Sequence, residues 1–165
     1  MKNLLLAAAM LVGLAGAAQA QTPASNSGMY VGANIGTIFD TNARVNAGVN
    51  VGYQYNRVVR AEGTFDQIWY KNGNGQALMA NAVLSVPTGT IVTPYALVGA
   101  GVGMNRLNTP GGNTSVALYN VGAGARVAVS QNVELDVRYR HFNAFEQVNG
   151  RKGANMVTVG AAYKF

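Results

Sequence analysis

Cysteine is absent from this 165-residue sequence, histidine occurs once, and charged residues make up only 11% of it. Without cysteine no disulfide can hold the chain together. With a single histidine and acids dispersed along the sequence, the ligand set of a metal site is missing, and no cofactor motif takes its place. A soluble domain carries about a quarter charged residues, so an ordinary water-facing surface fits this composition poorly. A helical membrane protein fits no better: after the first 20 residues no apolar run approaches the ~20 residues of a spanning helix. Yet 49% of the chain is hydrophobic, and that apolar content must lie in shorter segments.

The N-terminus is a separate matter. Lys2 precedes an unbroken apolar and small stretch from Leu4 to Ala18, which ends in Ala18-Gln19-Ala20. This pattern reads as a secretory signal peptide over residues 1–20, cut before Gln21. The flank from Gln21 to Gly28 is uncharged and lacks a basic stop-transfer cluster. Residues 21–165 then form a single domain. Without Lys2 it carries eleven basic and six acidic residues. A pI near 9.8 would ordinarily suggest nucleic acid, but export removes that partner, and the nearest polyanion outside such a cell is lipopolysaccharide.

Dyad alternation runs through the mature part. The 21 glycines, mostly two or four apart within apolar stretches, suit pleated strands and would break helices. The segments are Gly28 to Ile38, Arg44 to Tyr55, Val59 to Tyr70, Gln76 to Val86, Tyr95 to Asn105, Ala117 to Val129, Val133 to Asn143 and Asn155 to Phe165. Segments of this length and period predict an all-β fold, an eight-stranded antiparallel up-and-down transmembrane β-barrel. An even strand number puts both ends on the periplasmic side. The connections Asn56 to Val58, Pro87 to Pro94 and Ser130 to Asn132 are then periplasmic turns. Phe39 to Ala43, Lys71 to Gly75, Arg106 to Val116 and Ala144 to Ala154 face outward.

Charge parity supports two distinct faces. Val133, Leu135, Val137 and Tyr139 share one face of the seventh segment, and Glu134, Asp136, Arg138 and Arg140 share the other. The third segment opposes Val59, Ala61 and Phe65 to Arg60, Glu62, Thr64 and Asp66. A soluble sandwich also alternates, with the apolar face inward. Here the apolar sets are mostly Ala and Val, and glycine studs the polar face, which leaves room for Arg and Glu inside a narrow lumen. Aromatics form two girdles: Tyr53, Tyr55, Tyr163 and Phe165 at the periplasmic ends, and Phe39, Trp69, Tyr70, Tyr119, Tyr139 and Phe145 toward the outer ends.

The expected lumen set is Arg60, Glu62, Asp66, Arg126, Glu134, Asp136, Arg138, Arg140 and Lys164. Little water fits in so narrow a barrel, and unpaired charges there are costly, so ion pairs are expected. Counting outward from a three-residue turn at Ser130 to Asn132 sets Arg126 opposite Asp136 and predicts that they pair. The set serves as a structural plug or as a gated, narrow ion path. On the outer rim, Lys71, Arg106, Arg151 and Lys152 outnumber Asp40 and Glu146, which gives a basic surface for lipopolysaccharide or a host surface. Gly99-x-Gly101-x-Gly103 lies inside a strand pattern with no helix after it and is no phosphate loop.

Pro94 to Gly103, Val121 to Arg126, Glu134 to Phe142 and Val157 to Phe165 resemble the small outer-membrane barrels of the OmpA and opacity-protein type. The resemblance implies the cell outer membrane and roles in adhesion, envelope integrity or host contact. It also implies that the closing Tyr163-x-Phe165 is the signal read by the barrel-assembly machinery. The alternatives it leaves are a narrow porin-like channel and a lipid A-modifying enzyme. For the enzyme, His141 is followed two residues later by Asn143 where the resembling deacylases have a serine, with Glu146 as a stand-in acid. An amide is no nucleophile for acyl transfer, so no catalytic residue is assigned.

Overall fold

The computed structural model describes residues 27–39, 43–70, 73–107, 113–145 and 153–165. The expected signal peptide at residues 1–20 falls outside them, as do Lys71, Glu146, Arg151 and Lys152. Eight strands are formed: β1 (Gly28–Phe39), β2 (Ala43–Gln54), β3 (Val59–Tyr70), β4 (Gly73–Ser85), β5 (Val92–Leu107), β6 (Asn113–Ala128), β7 (Val133–Ala144) and β8 (Ala154–Lys164). Each pairs antiparallel with its sequence neighbour, and β8 pairs with β1 to close the barrel. Closure leaves no sheet edge unpaired and excludes the sandwich.

Several strands run past the boundaries of the sequence reading. Val92 to Pro94, read as the end of a turn, begin β5; residues 73–75, read as loop, begin β4, and the β5–β6 hairpin continues outward to Leu107 and Asn113. Asn and Gly lower β-propensity, but the backbone ladder there runs on through Gly73↔Leu107 and Arg106↔Asn113. The hydrogen bonds do not require apolar side chains. Arg106 therefore sits on strand β5, with its side chain outside the described set.

The turns are built as their residues dictate. Asn56 Oδ1 accepts from the amides of Val58 and Val59, each at 2.8 Å, an Asx turn between β2 and β3. Ser130 Oγ accepts from the Val133 amide at 3.1 Å, while Val129 N donates to Val133 O at 2.9 Å and fixes the β6–β7 register. Asn132 Nδ2 donates to Lys164 O at 2.9 Å and ties this turn to the end of β8.

Burial inverts the order of a soluble protein. On β7, Val137 is 53% exposed while Arg140, on the opposite face, is 1% exposed. The outer surface carries Val31, Val49, Val51, Leu78, Leu84, Val98, Val121, Leu135 and Val159. Such a surface is stable only against an apolar solvent. Aromatic pairs mark both ends of it: Tyr53 with Tyr55 at 4.9 Å and Tyr163 with Phe165 at 5.3 Å near the turns, Tyr119 with Phe145 at 5.2 Å near the loops. Tyr70 does not belong to this girdle. Its position in β3 has the inward parity of Ile68, and it packs on the core cluster of Ile38, Ile68, Met79, Phe142 and Met156.

That cluster fills the loop end of the lumen, so the inner face is not polar throughout. Ile68, Phe142 and Met156 continue the inward-facing rows that carry charge lower down, and Ile38 ends the inward row of β1 that begins with Tyr30. Two glycines open space for inward tyrosines. A Cβ on Gly52 would lie 2.5 Å from Tyr30 Cζ, and one on Gly124 would lie 2.6 Å from Tyr95 Cζ. Both contacts are shorter than any real Cβ tolerates, so these strands pass the rings only as glycine.

Candidate functional site

The site is the charged lumen, and its frame is the relation of β3 to β7. In a closed ring of eight strands these two stand four apart, on opposite walls, and both run from the turn end to the loop end. Inward-facing residues of β3 and β7 at the same height therefore meet across the barrel.

Three rungs result. Nearest the turns, Arg60 Nη1 and Nη2 donate to Glu134 Oε1 and Oε2 at 2.5 and 3.1 Å. Above it, Arg138 Nη1 and Nη2 donate to Glu62 Oε1 and Oε2 at 2.5 and 3.1 Å. Highest, Arg140 Nη1 and Nη2 donate to Asp66 Oδ2 and Oδ1, both at 2.9 Å. All three are two-pronged guanidinium–carboxylate pairs, the geometry in which arginine binds most strongly, and all six side chains are buried.

Polar neighbours complete the lower rungs. Lys164 Nζ lies 2.7 Å from Glu134 Oε2, so this one carboxylate serves two cations at close range. Glu62 Oε2 also accepts from Tyr30 Oη and from Asn50 Nδ2, each at 3.0 Å. Arg138 Nε donates to Tyr95 Oη at 2.8 Å and to Asp136 Oδ2 at 3.1 Å, while Tyr95 Oη donates to Asp136 Oδ1 at 2.6 Å. The void among Tyr30, Asn50, Arg60, Glu62, Arg126 and Arg138 has a volume of about 10 Å³, room for about one water.

The structure thus brings together all nine expected lumen residues but corrects one pairing. Arg126 and Asp136 do lie opposite each other in the β6–β7 register, yet they form no ion pair. Arg138, on the same face of β7 as Asp136, and the Tyr95 hydroxyl take both Asp136 oxygens. Arg126 turns instead onto the Tyr95 ring, 4.4 Å from its centroid, and donates to Ser85 Oγ. Its nearest charged contact is Glu134 Oε1, 3.9 Å from Nε. Sequence reasoning missed Tyr30, Tyr95, Ser85 and Asn50; their inward parity was the available signal. The amides of Asn46, Asn81 and Asn120 are also buried, without protein hydrogen-bond partners.

His141 lies on the outer face near the loops. Its Nδ1 is 2.8 Å from Asn155 Oδ1, which also accepts from Tyr139 Oη at 2.6 Å. Asn143 Oδ1, two residues on, accepts from the Ala144 amide at 3.0 Å. Of the basic rim, only the backbone of Arg106 is described. Tyr163 and Phe165 project outward at the turn end, and Phe165 N donates to Met29 O at 3.0 Å across the closing seam.

Against known proteins, the family model described as outer membrane protein beta-barrel domain matches residues 5–165. A sequence comparison with curated proteins finds no match. Among solved structures, Neisserial surface protein A is similar at TM-score 0.73 and 20% identity, over 86% of this chain and 100% of that one. The N-terminal β-barrel domain of Pseudomonas aeruginosa OprF is similar at TM-score 0.69 and 19% identity, over 86% and 98%. Ail, the attachment invasion locus protein of Yersinia pestis, is similar at TM-score 0.58 and 20% identity, over 84% and 97%. At such identities these likenesses speak for the fold alone.

Proposed function

Because this chain belongs to the outer membrane protein β-barrel family and so resides in the cell outer membrane, we propose that it is a plugged surface barrel with an envelope-structural or adhesin-like role, neither an open channel nor an enzyme. The three rungs carry this reading. Each joins opposite walls of the barrel, and an apolar cap of Ile38, Ile68, Phe142 and Met156 lies above the highest. An ion entering from either end meets a desolvating cap or a set of paired charges. In planar bilayers the refolded protein should therefore show no steady conductance. A stable open level in the unmodified protein would overturn the plug and favour the narrow channel.

The fold does not decide against catalysis, since the outer membrane enzyme PagL shares it at TM-score 0.54. The residues around His141 support a non-catalytic reading. Its neighbours are Asn155, Tyr139 and, two residues on, Asn143, none of which is a nucleophile for acyl transfer at neutral pH.

For the outer rim, Lys71, Arg106, Arg151 and Lys152 are the surface that meets lipopolysaccharide phosphates or a host polyanion. A structure of Ail in complex with the heparin analogue sucrose octasulfate supports polyanion binding by a barrel of this shape. Each basic residue near an anionic surface contributes about 1 kcal/mol, screened within a Debye length. Neutralising all of them together should lower co-purifying lipopolysaccharide several-fold at low salt and leave the gel mobility of the folded barrel unchanged. Equal retention in variant and parent, at low and high salt, would count against the rim. Tyr163 and Phe165 remain the proposed recognition signal for the barrel-assembly machinery.

A further inference from the structure

The turn-end half of the lumen is not balanced in charge. Among the described residues it holds the cations Arg60, Arg126, Arg138 and Lys164, and the carboxylates Glu62, Glu134 and Asp136. The higher pair, Arg140 with Asp66, is neutral in itself. The surplus positive charge falls on a particular residue. Arg60 and Arg138 each have a two-pronged carboxylate, and Lys164 has Glu134 at 2.7 Å and is partly exposed. Arg126 has no carboxylate within hydrogen-bonding distance, its side chain is only 5% exposed, and its Nε–H is buried without a partner.

A buried guanidinium whose nearest carboxylate, Glu134 at 3.9 Å, is already shared by two other cations is costly unless something further neutralises it. Arg126 lines the void of about 10 Å³ described above, together with Arg60 and Arg138. The carboxylates that also border it are committed: Glu134 to Arg60 and Lys164, Glu62 to Arg138, and Asp136 to Arg138 and Tyr95. Ser85 Oγ accepts from Arg126 and so keeps its own hydrogen free to donate. We propose that this half of the lumen binds one halide-sized anion, chloride in the first instance, at Arg126 Nε. This inference is independent of whether the barrel conducts.

An anion that binds only the folded barrel stabilises it by mass action: at ten times its dissociation constant the folded-to-unfolded ratio rises about elevenfold. Urea midpoints of the refolded protein in detergent would be compared in sodium chloride, sodium bromide and sodium gluconate at equal ionic strength. Chloride and bromide should raise the midpoint saturably over gluconate, a bulky organic anion. Arg126→Gln should lose the response, while Arg57→Gln, in an exposed turn, should keep it. Equal midpoints in chloride and gluconate, or an undiminished halide response in Arg126→Gln, would overturn the site. Should Arg126→Gln fail to fold, crystals of the parent protein grown in bromide decide: an anomalous peak within hydrogen-bonding distance of Arg126 Nε supports the proposal, and a water there overturns it.

Discussion

Replacing Glu134 with alanine should destabilise the folded barrel more than removing any other single lumen carboxylate. Glu134 is the partner of Arg60 through two hydrogen bonds and of Lys164 through one close contact, and it is the nearest anion to Arg126. Its loss would leave Arg60 and Arg126 buried on one level with no carboxylate between them. Lys164 can swing toward water, but the two arginines, enclosed by Tyr30 and Tyr95, cannot. Breaking a buried pair by removing one partner costs about 3 to 5 kcal/mol, most of it the desolvation of the charge left behind, and here two such charges remain. Asp136→Ala is the fitting comparison. Arg138 would keep both bonds to Glu62, so that loss should be a fraction of the first. The urea midpoint of the folded, faster-migrating gel band measures both. A Glu134→Ala midpoint equal to that of Asp136→Ala would mean that Glu134 is not the hub of the lower rung.

The extent to which this site can be read from the sequence follows from the range of the interactions involved. Strand parity has a period of two and needs only local sequence, so Glu134, Asp136, Arg138 and Arg140 could be placed inward without knowledge of the fold. Register needs one further fact, the turn length, and Ser130 to Asn132 supplied it: Arg126 does face Asp136. Partner choice needs the cross-section. The inward charges of β3 read plus, minus, minus at Arg60, Glu62 and Asp66, and their partners on β7 read minus, plus, plus at Glu134, Arg138 and Arg140. That complementarity was present in the sequence. It is visible only once β3 and β7 are known to face each other across a lumen narrow enough for an arginine to span. Neighbouring strands alone give Arg126 with Asp136, a pair that Arg138 and Tyr95 pre-empt. The apolar cap is hidden in the sequence for a related reason: Ile68, Phe142 and Met156 share the parity of the charges on their strands, and parity gives the inward face without saying whether it is polar.

The highest rung stands against that cap, and there the two partners should be replaceable together though not singly. Asp66 and Arg140 are the most deeply buried of the pairs, with side-chain exposures of 0% and 1%. Arg140 also touches the cap directly, with Met156 Sδ 3.2 Å from its Nη2 and the Phe142 ring centroid 5.1 Å from its Cζ. Asp66→Leu would leave that guanidinium with only Thr64 Oγ1 at 3.5 Å and a thioether sulfur as acceptors, both poor substitutes for a carboxylate. The expected loss is about 3 to 5 kcal/mol. Arg140→Met alone should cost a similar amount, because Asp66 would then be the unpaired charge. In the double variant neither charge needs desolvating, and Leu with Met extends the apolar cluster of Ile38, Ile68, Met79, Phe142 and Met156 by one layer. Exchange of a buried ion pair for apolar residues of similar volume is neutral or stabilising in other proteins, so the double variant should recover most of the loss seen in either single one. The urea midpoints of the parent, both single variants and the double variant form a complete cycle, whose interaction energy should exceed the several tenths of a kcal/mol found for independent sites. Additive losses, with the double variant the least stable of the set, would show that the pair holds the two walls together by more than the mutual cancellation of its charges.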